Sequence, residues 1–165
     1  EREPDVLLDQ QKDLSTGIIY RWNGTGWKPW ESDWVTYTPT LTSITLGTGA
    51  TNVWEYKLIA GLVHVRPRVV LGAGGAFGAF PTFTFPLAAK APVAAYIGYP
   101  RGGAQLHDVS ANASYDAGCV AENLSATIAR LVSVAGTYTG VQATSPFTSA
   151  VGDALAGVIA VFEPA

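Results

Sequence analysis

At 165 residues the chain fits one domain that buries roughly 70% of its unfolded surface. Only 14% of its residues are charged, against roughly 25% in average proteins, and the net charge of −3 resides in residues 1–33, where seven Asp/Glu meet four Lys/Arg. With no basic stripe, no apolar run near 18 residues and a single cysteine, the sequence offers no basis for nucleic-acid binding, a helical membrane span, an intrachain disulfide or a cysteine-based zinc site.

Taken in order, residues 1–16 (EREPDVLLDQQKDLST) are polar, with Val6-Leu7-Leu8 as an apolar knot, and suggest a linker or arm. The chain begins with Glu and shows no signal peptide, which suggests a segment of a longer protein. Ile18 to Trp22 and Trp27 to Trp30 flank Asn23-Gly24-Thr25-Gly26, a strong hairpin signal. A two-stranded ribbon is marginal in water, so its tryptophans are expected to dock on something.

From Trp34 to Val70 runs the stretch that organises the rest. Val53, Glu55, Lys57 and Ile59 take one parity and Trp54, Tyr56 and Leu58 the other; beyond Ala60-Gly61, Val63, Val65 and Val69 interleave with His64, Arg66 and Arg68. Such alternation predicts two strands with one face in a core, joined by a tight antiparallel turn at Gly61. Gly72 to Pro86 predicts a Gly/Ala loop and then a short strand anchored by Phe77, Phe80, Phe83 and Phe85. A strand is expected over 93–99, a turn over 100–103, and two short strands around Asn112 and Asp116-Ala-Gly118. Residues 121–134 fit both a helical stripe and alternation; strand-and-turn surroundings favour a strand. Gly136 to Gly140 is expected to turn, and Val158 to Glu163 to close the chain as a strand.

Short strands every 8–12 residues or so, punctuated by eighteen glycines and ten prolines, predict an all-β fold: an antiparallel, jelly-roll-like β-sandwich over 34–165, preceded by an arm (1–16) and an aromatic β-hairpin (17–33). A surface so poor in charge points to an oligomer; the alternative is a monomer whose exterior is mostly Thr, Ser and Ala. Cys119, within Ala-Gly-Cys-Val-Ala, is expected as a small core residue.

The sequence holds no phosphate-cradling loop, no GxSxG and no HExxH, and no cofactor is expected. His64 and His107 are far apart and neither belongs to a metal-spaced pair. Glu55, Asp108, Asp116, Glu122 and Asp153 include no evident catalytic pair, so the chain is not read as an enzyme. Two sets of candidate contact residues stand out. Trp22, Trp27, Trp30, Trp54 and Tyr56 could stack on sugar rings, or could staple the hairpin to the sandwich and pack at an oligomer interface. His107, with Tyr99 and Arg101, forms a polar cluster that is either a contact site or a solvated loop. Asn-x-Ser/Thr sequons at Asn23, Asn112 and Asn123 carry little information without a secretory context.

Thr16-Gly-Ile-Ile-Tyr-Arg-Trp-Asn-Gly-Thr-Gly-Trp27 followed by Trp34-Val-Thr-Tyr-Thr-Pro-Thr40 resembles the C-terminal head regions of tail fibre and minor tail proteins from double-stranded DNA phages, especially those of actinobacterial hosts. Tyr56 with Gly61-Leu-Val-His-Val, the strand ending Phe85-Pro86, Ser145-Pro-Phe-Thr and Gly152-Asp-Ala-Leu155 are similar to that family's layout, so the resemblance spans residues 16–163. One departure is the closing Val158-Ile-Ala-Val-Phe162-Glu, where a Gly-Thr-Tyr-Glu type of ending would be expected. The resemblance implies a virion protein with a β-sandwich head, commonly a homotrimer, that sits on the tail, joins other virion proteins through its preceding part and attaches to a glycan or protein of the host surface, with no nucleic acid bound and no membrane insertion. Competing readings are a capsid decoration protein with residues 1–16 as an arm over the shell, a carbohydrate-binding module, and an enzyme that trims envelope polysaccharide, for which the sequence offers no positive evidence. In a sandwich head, contacts would fall on end loops, here 72–81, 100–108 and 136–148.

Overall fold

A computed structural model of the chain describes residues 10–90, 103–135 and 137–165. Strands β1 (Gln10–Lys12), β2 (Ile19–Trp22) and β3 (Trp27–Glu31) form a small antiparallel sheet in that order. The chain then supplies β4 (Val35–Tyr37), β5 (Leu41–Thr45), β6 (Thr51–Ile59), β7 (Leu62–Val70) and β8 (Ala76–Thr84). There follow β9 (Ala104–Asp108), β10 (Ala113–Ala121), β11 (Ile128–Ala135), β12 (Thr137–Gly140), β13 (Ala154–Ala156) and β14 (Ala160–Phe162). These eleven make one antiparallel sheet in the order β4-β6-β7-β13-β9-β10-β11-β8-β5, with β12 on β11 and β14 on β7.

The connectivity explains the sheet's shape. β4 and β5 are the first and last strands of the order, yet only Thr38, Pro39 and Thr40 separate them in sequence. That link reaches at most about 14 Å, so the sheet must curl until its two margins meet. Its halves then face each other around one core, a sandwich-like all-β fold, as the spacing of strands and turns predicts. Trp54 of β6 stacks on Phe83 of β8, ring centroids 4.9 Å apart, across that core, with Leu58, Val65, Leu106 and Leu155 fully buried around it.

The alternation in β6 and β7 is realised as expected: Trp54, Leu58, Val63, Val65 and Val69 are buried, while Val53, Ile59 and Leu62 are exposed on the outer face. Ile59 pairs with Leu62 across Ala60-Gly61, whose φ values of 51° and 78° are the two positive angles of a type I′ turn. Burial drives the Cys119 thiol's pKa upward and leaves it a core residue.

Several expectations are corrected. Residues 10–12 of the expected arm form β1, which pairs with β2, so the hairpin is part of a three-stranded sheet. Phe80 is no core anchor: it is 46% exposed, because it takes the parity opposite to Phe77, Phe83 and Phe85. There β8 bulges, with residues 78–81 set against Ser43 alone, and the Phe80 ring lies beside Gly140 and beneath the Arg130 guanidinium, 4.9 Å from it. β10 runs unbroken through Asp116-Ala-Gly118. The expected turn over 136–140 instead contributes β12, Ala135 pairing with Thr137 and Val132 with Gly140. A short 3-10 turn, Glu122–Leu124, precedes β11. The strand expected over 93–99, and most of the following turn, lie outside the described residues.

Tyr37 carries the one buried side-chain polar atom that lacks a hydrogen-bond partner among the described residues, and burial raises its phenol far above the ordinary value. Its ring packs edge-on against Trp54 and Tyr56. Since an unpaired buried hydroxyl is a cost, Tyr37→Phe is expected to be neutral or to stabilise by up to about 1 kcal/mol. Urea unfolding checks this; a loss above about 1 kcal/mol would show that the hydroxyl is bonded in solution.

Candidate functional site

The aromatic hairpin is closed by the Trp22/Trp27 pair. Within the loop, Asn23 Oδ1 accepts the N–H groups of Thr25 (3.1 Å) and Gly26 (3.0 Å), and Gly24 takes φ 93°. An Asx-type side-chain turn and a glycine at positive φ are what a loop this short needs. The two indoles meet edge to face, 5.6 Å between centroids and 64° between planes. Each nevertheless stays open to solvent, Trp22 at 42% and Trp27 at 43% exposure.

Trp30 has a different task. The Gly61 N–H donates to the Trp30 carbonyl (2.8 Å), and a Cβ on Gly61 would fall 3.2 Å from Trp30 Cε3. One residue pair further, the Ser32 N–H donates to the Leu58 carbonyl (3.2 Å) and the Leu58 N–H to Ser32 Oγ (2.9 Å). These bonds seat the small sheet on the β6–β7 turn. The tryptophans thus divide: Trp30 staples, while Trp22 and Trp27 are held in place and left uncovered.

Between the hairpin and the sandwich lies an open groove of about 740 Å³. Trp22, Trp30, Arg21 and Lys28 line it from the hairpin, Gly61 and Leu62 from the turn, and Lys90 and Glu163 from the sandwich. The Arg21 guanidinium lies 4.9 Å over the Trp30 ring, and Lys90 Nζ pairs with the Glu163 carboxylate at 3.1 Å. Arg21 and Lys28 are directly opposed across β2 and β3.

The other candidates fall elsewhere. Trp54 is only 1% exposed, and its indole N–H donates to Asn52 Oδ1 (2.8 Å); its parity with Leu58 makes it core, which removes it from any surface set. Tyr56, on the same parity, is partly buried against Tyr37, and burial, with Tyr20 nearby, raises its phenol's pKa. It packs against the core and does not line the groove. His107 sits on β9 with Nδ1 3.1 Å from Ser114 Oγ of β10, and does not line the groove. Tyr99 and Arg101 lie outside the described residues. Of the expected end loops, 104–108 is β9 and 137–140 is β12.

The residues that sequence reasoning passed over are cationic. Arg21 and Lys28 alternate with the tryptophans, a signal open to inspection, whereas Lys90 and Glu163 meet across 73 positions and leave no local trace. Among the described residues no group of three or more His, Cys, Asp or Glu could hold a metal ion. The arrangement can stack on a flat apolar face, donate hydrogen bonds and neutralise negative charge. Compared with known proteins, the chain matches no family model, no curated protein and no solved structure.

Proposed function

We propose that this chain is a phage virion protein, the distal head of a tail fibre or minor tail protein, and that it attaches to the host by holding a cell-surface glycan in the groove beside the hairpin. The observation that carries the proposal is Trp22, which lines the groove, is 42% exposed and is met edge-on by the equally open Trp27, on a hairpin whose third tryptophan is spent on docking. A Trp side chain carries about 150–250 Å² of contact surface with a polar N–H at its edge, which suits a sugar ring with one apolar face and a hydroxyl rim. Supporting the virion assignment are the motifs from Thr16 to Thr40 and the sandwich-like all-β fold, the second by analogy of fold alone.

The proposal includes a homotrimer. The chain as a whole is poor in charge, and Ile59 and Leu62, directly opposed beside the β6–β7 turn, are both exposed. An exposed apolar pair on a chain so poor in charge suits contact with a second copy.

Trp22→Ala is expected to weaken binding of host surface polysaccharide about tenfold, a loss of roughly 1.4 kcal/mol, with the thermal midpoint little changed. Tryptophan-fluorescence titration, with calorimetric melting on the same samples, measures both. Unchanged affinity in a folded Trp22→Ala protein would remove the groove from the reading. Immunolabelling of particles on the head rather than the tail would replace the tail assignment with capsid decoration.

A further inference from the structure

Resting on the groove as the attachment site, we infer that its ligand is an anionic polysaccharide, one that carries carboxylate or phosphate groups along a chain of sugar or polyol units. The whole chain has net charge −3, yet the groove gathers Arg21, Lys28 and Lys90 against one acidic side chain, Glu163. Glu163 is engaged by Lys90, so the charge left over belongs to the hairpin. There Arg21 and Lys28 occupy directly opposed positions of an antiparallel pair, and among the described residues neither has a carboxylate within ion-pair distance.

Like charges placed opposite one another destabilise a strand pair. A sheet this small has little stability to give up, and the arrangement becomes favourable once an anion sits between the two cations. The Trp30 ring beneath the Arg21 guanidinium holds that cation along the groove by a cation–π contact rather than an ion pair, leaving its N–H groups available to a ligand. Trp22 provides the adjoining apolar surface. A neutral glycan would use the tryptophan and leave the two cations facing each other; an anionic one uses both.

The test is a titration of the full chain with four probes: polygalacturonate, its methyl-esterified neutral form, poly(glycerol phosphate) and dextran. At least one anionic polymer is expected to bind ten times more tightly than either neutral one, and to lose that advantage between about 50 mM and about 300 mM salt, where the Debye length falls roughly from 14 to 6 Å. Lys28→Gln is expected to reduce the anionic polymer's affinity at least threefold while leaving the melting temperature unchanged or raised, because the substitution also relieves the opposed charges. A purely structural role for Lys28 would lower the melting temperature instead. If the neutral polymers bind as well as the charged ones, the charge inference fails and glycan attachment stands. If no polymer binds, both fail.

Discussion

Asp153→Ala is expected to lower the unfolding free energy by about 3–5 kcal/mol, a large share of the 5–15 kcal/mol or so that holds a typical domain together. The Asp153 side chain lies at 0% exposure, and among the described residues it has no ion-pair partner. Its Oδ1 accepts the Val109 N–H at 2.9 Å and its Oδ2 the Ala150 N–H at 2.6 Å. Its own carbonyl accepts the Leu71 N–H, and the Gly152 N–H donates to the Leu71 carbonyl, both at 2.8 Å. One carboxylate thus joins the β9–β10 turn to the segment leading into β13, while the adjoining backbone ties both to the end of β7. Hydrogen bonds to a charged group are worth about 1.5–3 kcal/mol each, and truncation removes two at once. Asp153→Asn keeps one acceptor but sets an amide N–H against the second donor, so roughly half the loss is expected. Urea unfolding of the three proteins measures the series; a loss below about 1 kcal/mol for the alanine variant would mean that this end of the sandwich is held by other contacts.

Trp54→Ala is expected to cost about 3–5 kcal/mol, the usual range for removing a large buried aromatic. The ring spans the core between the facing halves of the curled sheet, stacked on Phe83 at 4.9 Å and edge-on to Tyr37 at 6.3 Å. Without it the core loses the largest fully buried side chain among the described residues, and collapse is limited because both ends of the sheet are tied by the short β4–β5 link. Trp54→Phe retains the stacking and loses the bond to Asn52, so a smaller loss of about 1–2 kcal/mol is expected. Trp54→Phe is also expected to leave glycan affinity within about twofold, since the residue lies away from the groove. Denaturant midpoints paired with fluorescence titration separate the two effects.

How far the molecule was legible in its sequence can be followed residue by residue. In β6 and β7 strict alternation, a tight turn at Ala60-Gly61 and a single buried face left one consistent register, because a one-residue slip would have turned Leu58 and Val65 outward. The same parity already grouped Trp54 with Leu58; treating it as surface ignored that grouping in favour of its aromatic character. Phe80 repeats the lesson, its parity being opposite to that of the other three phenylalanines. β12 was obscured because glycines flank Thr-Tyr-Thr on both sides, and flanking glycines suggest a turn until a neighbouring strand is there to pair. β1, Gln-Gln-Lys, has no hydrophobic pattern; its backbone pairing with β2 makes it a strand. β13 is three residues long and inserts between β7 and β9, partners that no local signal identifies.

The candidate site was legible in part. The hairpin followed from Asn23-Gly24 between aromatic runs, and Trp22, Trp27 and Trp30 were visible as candidates. Which of them staples and which stays open depended on the approach of Gly61, a contact between segments 31 positions apart. The cationic wall needed the β2–β3 register that opposes Arg21 and Lys28, and the groove's other side needed the distant Lys90–Glu163 pair.

The most direct test of host attachment through the hairpin groove is competition for adsorption. Purified wild-type and Trp22→Ala chains, matched for oligomeric state by light scattering, are added to host-type cells before the phage. The wild-type protein, as a trimer, is expected to coat the cells and suppress adsorption, and the folded Trp22→Ala protein to do neither. A folded trimer that leaves cells bare and adsorption untouched would contradict attachment through the groove.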